Sequence, residues 1–244
     1  NSSHCISINN TMSHILLRNL TLYGSTIIIS LYNTSNVRIE DIDIDLGSTG
    51  ISLKECHGIT INEVDAANTT IPLEVDRSRN ISIRSSYFND FILGVRIGSS
   101  SNVKLSEMGI VGGSTGIQCV DSCNVSLLSV NVHYCAVIGV SISGSDRITL
   151  WEMGIYACFD GILMESCSSV ELNSNTIDRY DDQSGSLPGI GMRIMGSQDI
   201  LCYLNYLKNY ITAMVFDNCS VVNVRSVEIR NSGEALLIHR TVDL

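Results

Sequence analysis

The stretch Ser48-Thr-Gly-Ile-Ser-Leu-Lys-Glu-Cys56 decides the fold, because close copies of it recur along the chain. It returns as Ser114-Thr-Gly-Ile-Gln-Cys-Val-Asp-Ser122 and as Asp160-Gly-Ile-Leu-Met-Glu-Ser-Cys167. The residue at the glycine position recurs every 22 residues, apart from one interval of 23 and one of 30, at Ile6, Ile28, Gly50, Pro72, Gly94, Gly116, Gly139, Gly161, Gly191, Ala213 and Ala235. A fixed period of this length indicates a protein whose repeats stack on one another.

A second phrase with the same period shows what each repeat contains. It reads apolar-x-apolar-x-x-apolar-x-apolar and begins at Ile15, Val37, Ile59, Ile81, Val103, Val125, Ile148, Val170, Ile200 and Val222. This alternation is typical of short strands that meet at a corner, and the spacing of three and four residues that marks a helix is absent. We therefore predict an all-β fold over residues 1–244, a right-handed parallel β-helix of about ten coils with three short strands per coil.

These repeats resemble those of the pectin-lyase-like superfamily, especially the NosD-type and carbohydrate-associated β-helix repeats, over essentially the whole chain. The resemblance implies the fold, while the superfamily holds lyases, hydrolases, epimerases, binding proteins and structural proteins. Its polygalacturonase-like members carry Asn-Thr-Asp, Asp-Asp, Gly-His-Gly and Arg-Ile-Lys in that order. Here Cys56-His57-Gly58 precedes Asp181-Asp182, and Arg193-Ile-Met195 lacks the lysine. No lyase-like row of Arg or Lys is evident either, so we lean against an enzyme.

The sharpest polar cluster consists of carboxylates in two neighbouring coils. At an offset of 22 residues, Asp41 stacks under Glu63 and Asp43 under Asp65, with Asp45 beside them. Stacked like charges are destabilising unless a cation compensates, and oxygen ligands suit calcium. The sequence therefore allows a calcium or ligand patch here, and a solvated acidic edge is the favoured alternative.

One coil is longer than the others by about eight residues, at 178–189. Loops that leave a rigid scaffold often carry binding residues, and longer loops also cost little free energy. The insertion is therefore either a binding loop for a sugar, a cation or a second subunit, or a neutral addition. Its candidate residues are Asp178, Arg179, Tyr180, Asp181 and Asp182.

The nine cysteines show no Cys-x-x-Cys spacing. Cys119 and Cys202 fall at inward positions, and Cys135 and Cys158 lie one coil apart in one column, where a disulfide is geometrically feasible. The five histidines are scattered, so we expect no zinc site. The NosD-like resemblance suggests copper, but no Met/His/Cys cluster supports it.

Asparagine occurs at two kinds of position. Asn36, Asn80, Asn102 and Asn124 immediately precede the second phrase, where asparagine tolerates a left-handed turn, so we expect a stacked ladder. Eight Asn-x-Ser/Thr sequons occur; we expect Asn80 and Asn124 to be too buried for glycosylation and favour Asn9, Asn19, Asn33, Asn68 and Asn218.

The remaining expectations concern location and partners. A net charge of −10 argues against nucleic-acid binding, and no apolar run is long enough to span a bilayer. Acidity and sequons indicate an extracellular or cell-surface protein. Both ends of the chain read as repeat strands, so head-to-tail stacking into a filament, sheath or stalk is our leading hypothesis. The alternative is a carbohydrate-binding or polysaccharide-degrading module.

Overall fold

The computed structural model describes residues 4–179 and 189–240, which wind into a parallel β-helix. The paired strands run parallel, and each lies against its equivalent in the next coil, as in Val103 beside Val125 and Val125 beside Ile148. No helix occurs in these two ranges, and none of their segments forms a helix long and apolar enough to cross a membrane. The predicted fold is confirmed.

The strands form three faces. Face A contains β5 Arg79–Arg84, β8 Ser101–Ser106, β11 Cys123–Leu128, β14 Asp146–Trp151, β17 Ser168–Asn173, β20 Gln198–Tyr203 and β23 Ser220–Arg225. Face B contains β6 Tyr87–Asn89, β9 Gly109–Val111, β12 Asn131–His133, β15 Gly154–Tyr156, β18 Thr176–Asp178, β21 Tyr206–Lys208 and β24 Glu228–Arg230. Face C contains β1 His4–Asn9, β7 Leu93–Gly98, β10 Thr115–Val120, β13 Ile138–Ser143, β16 Asp160–Glu165, β19 Ile190–Met195, β22 Thr212–Asp217 and β25 Glu234–His239. Three longer strands pass around the corners, β2 Ile15–Tyr32, β3 Val37–Lys54 and β4 His57–Asp76.

Alternate residues of each strand point inward and stack into continuous columns. Leu53, Val75 and Ile97 occupy consecutive coils of one such column and are fully buried. Because branched side chains fill these columns, each coil buries its apolar face against the coils above and below it. The core is therefore one cylinder along the axis.

The corners contain residues with positive φ. Asn36, Asn80, Asn102 and Asn124 have φ between 53° and 60°, a region that asparagine tolerates better than most residues. Asn102 donates to Asn80 at 2.9 Å and Asn124 to Asn102 at 2.7 Å, which confirms the predicted ladder for these three residues. Asn36 instead donates to the carbonyl oxygen of Met12 at 3.2 Å. The members of the ladder are exposed, however, and the expectation that Asn80 and Asn124 are buried was wrong: the left-handed corner turns these side chains outward.

The first coil departs from the predicted register. His4 pairs with Ile27, which puts Cys5, not Ile6, in the column of Ile28. The corner after β1 causes the shift. It contains residues 10–14, whereas the corresponding corner of the next coil contains residues 33–36 and is one residue shorter.

Candidate functional site

A groove of about 590 Å³ follows the corner between face C and face A over the first coils. The short side chains of Thr34, Cys56 and Ser78 are buried beneath it, whereas the longer side chains of Arg77 and Arg79 are exposed. Its lining residues are Met12, Asn33, Thr34, Ser35, Glu55, Cys56, His57, Arg77, Ser78, Arg79, Ser99 and Ser101. We call this feature the corner groove.

The corner groove exists because three residues in a row repeat their conformation in each coil. The first residue has positive φ, as Glu55 does at 57° and Arg77 at 46°. The second turns inward, and the third begins the next strand facing outward. Register then places His57 directly beside Arg79, and Arg79 beside Ser101.

Two arginines give the groove its charge. Arg77 is paired with Glu55 at 3.0 Å and with Asp76 at 3.1 Å. Arg79 is exposed and forms no ion pair with any residue in the described ranges. Its guanidinium is therefore a cation available to a ligand, in a protein whose net charge is −10.

His57 is oriented by the asparagine ladder. The amide nitrogen of Asn80 lies 3.4 Å from Nδ1 of His57, so the amide donates and Nδ1 accepts. In the neutral ring this hydrogen bond puts the proton on Nε2, which can donate to a ligand oxygen.

The floor of the groove is structural. The Cys56 thiol donates to the carbonyl oxygens of Leu31 at 3.3 Å and Lys54 at 3.4 Å, and burial raises the pKa of this thiol. A neutral, hydrogen-bonded thiol is a poor nucleophile. The hydroxyl oxygen of Ser78 accepts a hydrogen bond from the backbone N–H of Cys56 at 2.9 Å and so links two consecutive coils.

The acidic residues of the predicted patch follow the predicted register. Asp43 and Asp65 are register partners, and burial, followed by the charge of Asp43, raises the pKa of Asp65. Asp45 accepts a hydrogen bond from Asn68 at 2.8 Å. Asp41 and Glu63 occupy positive-φ corners with φ of 56° and 53°.

The side chains of this patch do not form a preassembled set of metal ligands. In the part of the chain that the structure describes, no three His, Cys, Asp or Glu side chains are grouped to hold one. The calcium or ligand patch therefore stays a prediction.

The structure describes the first two residues of the insertion, Asp178 and Arg179. Asp178 ends β18, accepts a hydrogen bond from Asn209 at 2.8 Å and lies 3.8 Å from the ammonium of Lys208. The guanidinium of Arg179 lies over the Phe159 ring, 5.2 Å from its centroid. The other predicted loop residues, Tyr180, Asp181 and Asp182, lie outside the described residues, so the binding loop stays a prediction.

Cys135 and Cys158 are both buried and lie together, as predicted from their column. Both carry free thiols here, and a hydrogen bond to Cys158, together with burial, raises the pKa of Cys135. Their disulfide stays a prediction. The sequon residues Asn9, Asn19, Asn33, Asn68 and Asn218 are all exposed, and their glycosylation also stays a prediction.

Comparison with known protein families shows which family the chain belongs to. The model of the family described as periplasmic copper-binding protein (NosD) matches residues 25–224. The chain belongs to the NosD family. This is a periplasmic family, so its description agrees with the predicted location outside the cytoplasm. No curated protein sequence matches.

Solved structures resemble this NosD family member in fold. The A-module of Azotobacter vinelandii mannuronan C-5 epimerase AlgE6 gives a TM-score of 0.71 at 15% identity, over 94% of this chain and 73% of that one. The periplasmic alginate epimerase AlgG gives 0.65 at 13% identity, over 98% and 77%. The Streptococcus pneumoniae surface protein and adhesin PfbA gives 0.58 at 10% identity, over 97% and 91%. At such identities the likeness establishes the right-handed β-helix alone.

The copper of the family description does not fit the described residues. Copper sites are built from imidazole, thiolate and thioether ligands held close together. Here the corner cysteines donate to backbone carbonyls, as Cys167 does to Glu165 at 3.4 Å and Cys219 to Asp217 at 3.5 Å. No three-residue cluster of His, Cys, Asp or Glu occurs in residues 4–179 and 189–240.

Proposed function

We propose that this chain binds an acidic polysaccharide in the corner groove. The observation that carries the proposal is the row formed by His57 and Arg79, with Arg79 free of ion pairs among the described residues. A planar guanidinium binds a carboxylate through two parallel hydrogen bonds. The proposal draws support from the fold, which the chain shares with alginate epimerases and with a surface adhesin.

The size and lining of the groove suit a glycan. Its volume of about 590 Å³ lies within the usual range for ligand sites. Ser35, Ser99 and Ser101 line it with hydroxyl groups that can donate to and accept from sugar hydroxyls. Because the groove follows the corner across several coils, a polymer can lie along it.

Binding is better supported than cleavage. Glycosidases act with two carboxyl groups on either side of the scissile bond. Among the lining residues of the groove, Glu55 is the single carboxylate, and it forms an ion pair with Arg77. The groove therefore holds a charged sugar without an evident acid–base pair.

Calorimetric titration with hexasaccharides of mannuronate, guluronate and galacturonate tests this proposal. Arg79→Ser should weaken binding of the preferred acidic oligosaccharide at least tenfold, because it removes the unpaired cation. Arg79→Lys should recover part of the affinity, since it keeps the charge but loses the planar fork. The matched control is Arg18→Ser, another exposed arginine, which lies on β2 away from the groove and should bind as the wild type.

Two results would contradict it. The first is that the wild-type protein binds none of the three acidic hexasaccharides. The second is that Arg79→Ser and Arg18→Ser bind with the same affinity.

Head-to-tail stacking into a filament stays a second proposal. In the described ranges β25 pairs only with β22, and its Leu236 and Ile238 are exposed apolar residues. A second copy could continue the ladder from this strand. Sedimentation across a wide concentration range should then show growing polymers, whereas monomers at every concentration would exclude the filament.

A further inference from the structure

Large apolar side chains are exposed on face A, in the coils of β14 to β20. Trp151 is 45% exposed and Tyr203 is 38% exposed, although both end strands whose other side is buried. Leu201 lies on the same strand as Tyr203 and is also exposed. Grouped exposed apolar residues on a soluble protein mark an interaction site. We call Trp151, Asn173, Leu201 and Tyr203 the aromatic strip.

The register aligns the strip with the axis of the β-helix. Trp151 pairs with Asn173, and Asn173 pairs with Tyr203, so one outward column carries aromatic, amide and aromatic side chains in consecutive coils. The two aromatic residues are two coils apart, about 10 Å. That separation is comparable to the length of a disaccharide unit in an extended β-linked glycan.

The polar groups of the strip are placed to meet hydroxyls. The Asn173 side-chain oxygen accepts from Ser174 at 2.9 Å, and within the described ranges its amide nitrogen has no protein acceptor. Glu171 is the register partner of Leu201, and Glu152 follows Trp151 in the chain. Carboxylates here accept hydrogen bonds from hydroxyls but repel an anionic chain.

We propose that the aromatic strip binds a neutral, extended β-linked polysaccharide that lies parallel to the helix axis. The C–H faces of alternate sugar rings would pack on Trp151 and Tyr203, and Asn173 would donate to a hydroxyl of the ring between them. Aromatic rings with a polar edge suit a ligand that is apolar on its faces and polar at its rim. This site is additional to the corner groove and needs none of its positive charge.

The composition of the strip favours a glycan over a protein partner. The core of a protein interface is depleted in charged residues, whereas Glu152 follows Trp151 in the chain and Glu171 lies beside Leu201 in the register. The amide between the two rings also interrupts any continuous apolar surface. A glycan uses both features, because its apolar and polar groups alternate over the same distances.

The chain carries its own probe for this site, because Trp151 is its single tryptophan. Titration with a panel of neutral hexasaccharides, namely cello-, xylo-, chito- and β-1,3-gluco-oligosaccharides, should produce a saturable change in tryptophan emission with at least one of them. Tyr203→Ala should then weaken binding at least tenfold. Calorimetry should show the same loss for Trp151→Ala and retention for Trp151→Phe, which keeps an aromatic face.

Two control variants distinguish binding at the strip from binding elsewhere on the surface. Tyr87→Ala removes a tyrosine of similar exposure, 43%, from face B and should leave binding unchanged. Arg79→Ser should also bind the neutral oligosaccharide as the wild type does, even if it loses acidic oligosaccharides. The two proposals can therefore fail independently.

The proposal is overturned if no neutral oligosaccharide of the panel changes the emission or binds in calorimetry. It is equally overturned if Tyr203→Ala and Tyr87→Ala bind alike. A change in Trp151 emission with protein concentration alone would instead make the strip an interface between copies of this chain.

Discussion

Gly161→Ala is expected to lower the free energy of unfolding by about 3 kcal/mol or more, the upper range for adding a methyl group to a packed core. A Cβ at this position would stand 2.3 Å from the carbonyl oxygen of Gly191 and 2.5 Å from Cγ2 of Ile177. The first of these atoms belongs to the backbone of the next coil. It cannot move away without breaking the ladder that joins β16 to β19.

Gly98→Ala is the matched control, because it adds the same methyl group on the same face of the solenoid. Its nearest neighbour would be Oδ1 of Asp76 at 3.6 Å, an ordinary van der Waals contact. We expect a change within about 0.5 kcal/mol for this variant. Urea unfolding followed by circular dichroism and by Trp151 fluorescence measures both, and equal unfolding midpoints for the two variants would refute the importance of the close contact.

The fold could be predicted because one physical rule repeats along the whole chain. Every coil must place its apolar residues inward, and most coils place a small residue at the tight contact, so the period survives where individual residues differ. Pro72 and Ala213 fill the position of Gly161 without hiding the pattern. The first coil was harder, because an extra corner residue shifts Cys5 into the column where Ile6 was expected.

The corner groove was missed although its signal is present in the sequence. Glu55 and Arg77 are 22 residues apart, as are His57 and Arg79, so the period that stacked Asp43 under Asp65 also stacks these residues. The period does not predict which of the two arginines lacks an ion pair. Ion pairing depends on the rotamers of long, exposed side chains, which the backbone register does not fix.

The aromatic strip was missed although its signal is also present in the sequence. Trp151, Asn173 and Tyr203 each lie three residues after a start of the second phrase, at Ile148, Val170 and Ile200. The insertion separates the two aromatic residues by 52 residues instead of twice 22, so a search at the constant period alone does not align them.

Alkaline conditions are expected to destabilise this protein through its buried thiols. Burial raises the pKa of Cys119 to about 11 and that of Cys202 to about 12, from an ordinary value of 9.0. In the unfolded chain both thiols ionise near the ordinary value, while in the folded chain they stay protonated. Stability contributed by this difference is complete below about pH 9 and is lost as the pH rises toward 11 and 12.

The size of this loss of stability follows from the pKa shift, because a shift of one pKa unit corresponds to about 1.4 kcal/mol of free energy. Between pH 8 and pH 10.5 each of the two thiols should lower the free energy of unfolding by about 2 kcal/mol. Urea unfolding in the presence of a phosphine reductant measures the total, and it excludes disulfide formation in the unfolded chain.

The double variant Cys119→Val/Cys202→Val isolates this contribution from the titration of lysine and tyrosine. Valine is apolar, and the neighbours of Cys119 and Cys202 along their columns, such as Ile97 and Leu172, are apolar too. The variant should lose about 4 kcal/mol less than the wild type between the two pH values. Cys123→Ser, which changes a partly exposed thiol, should fall as steeply as the wild type. If the double variant also falls as steeply, the buried thiols do not set the alkaline limit of this fold.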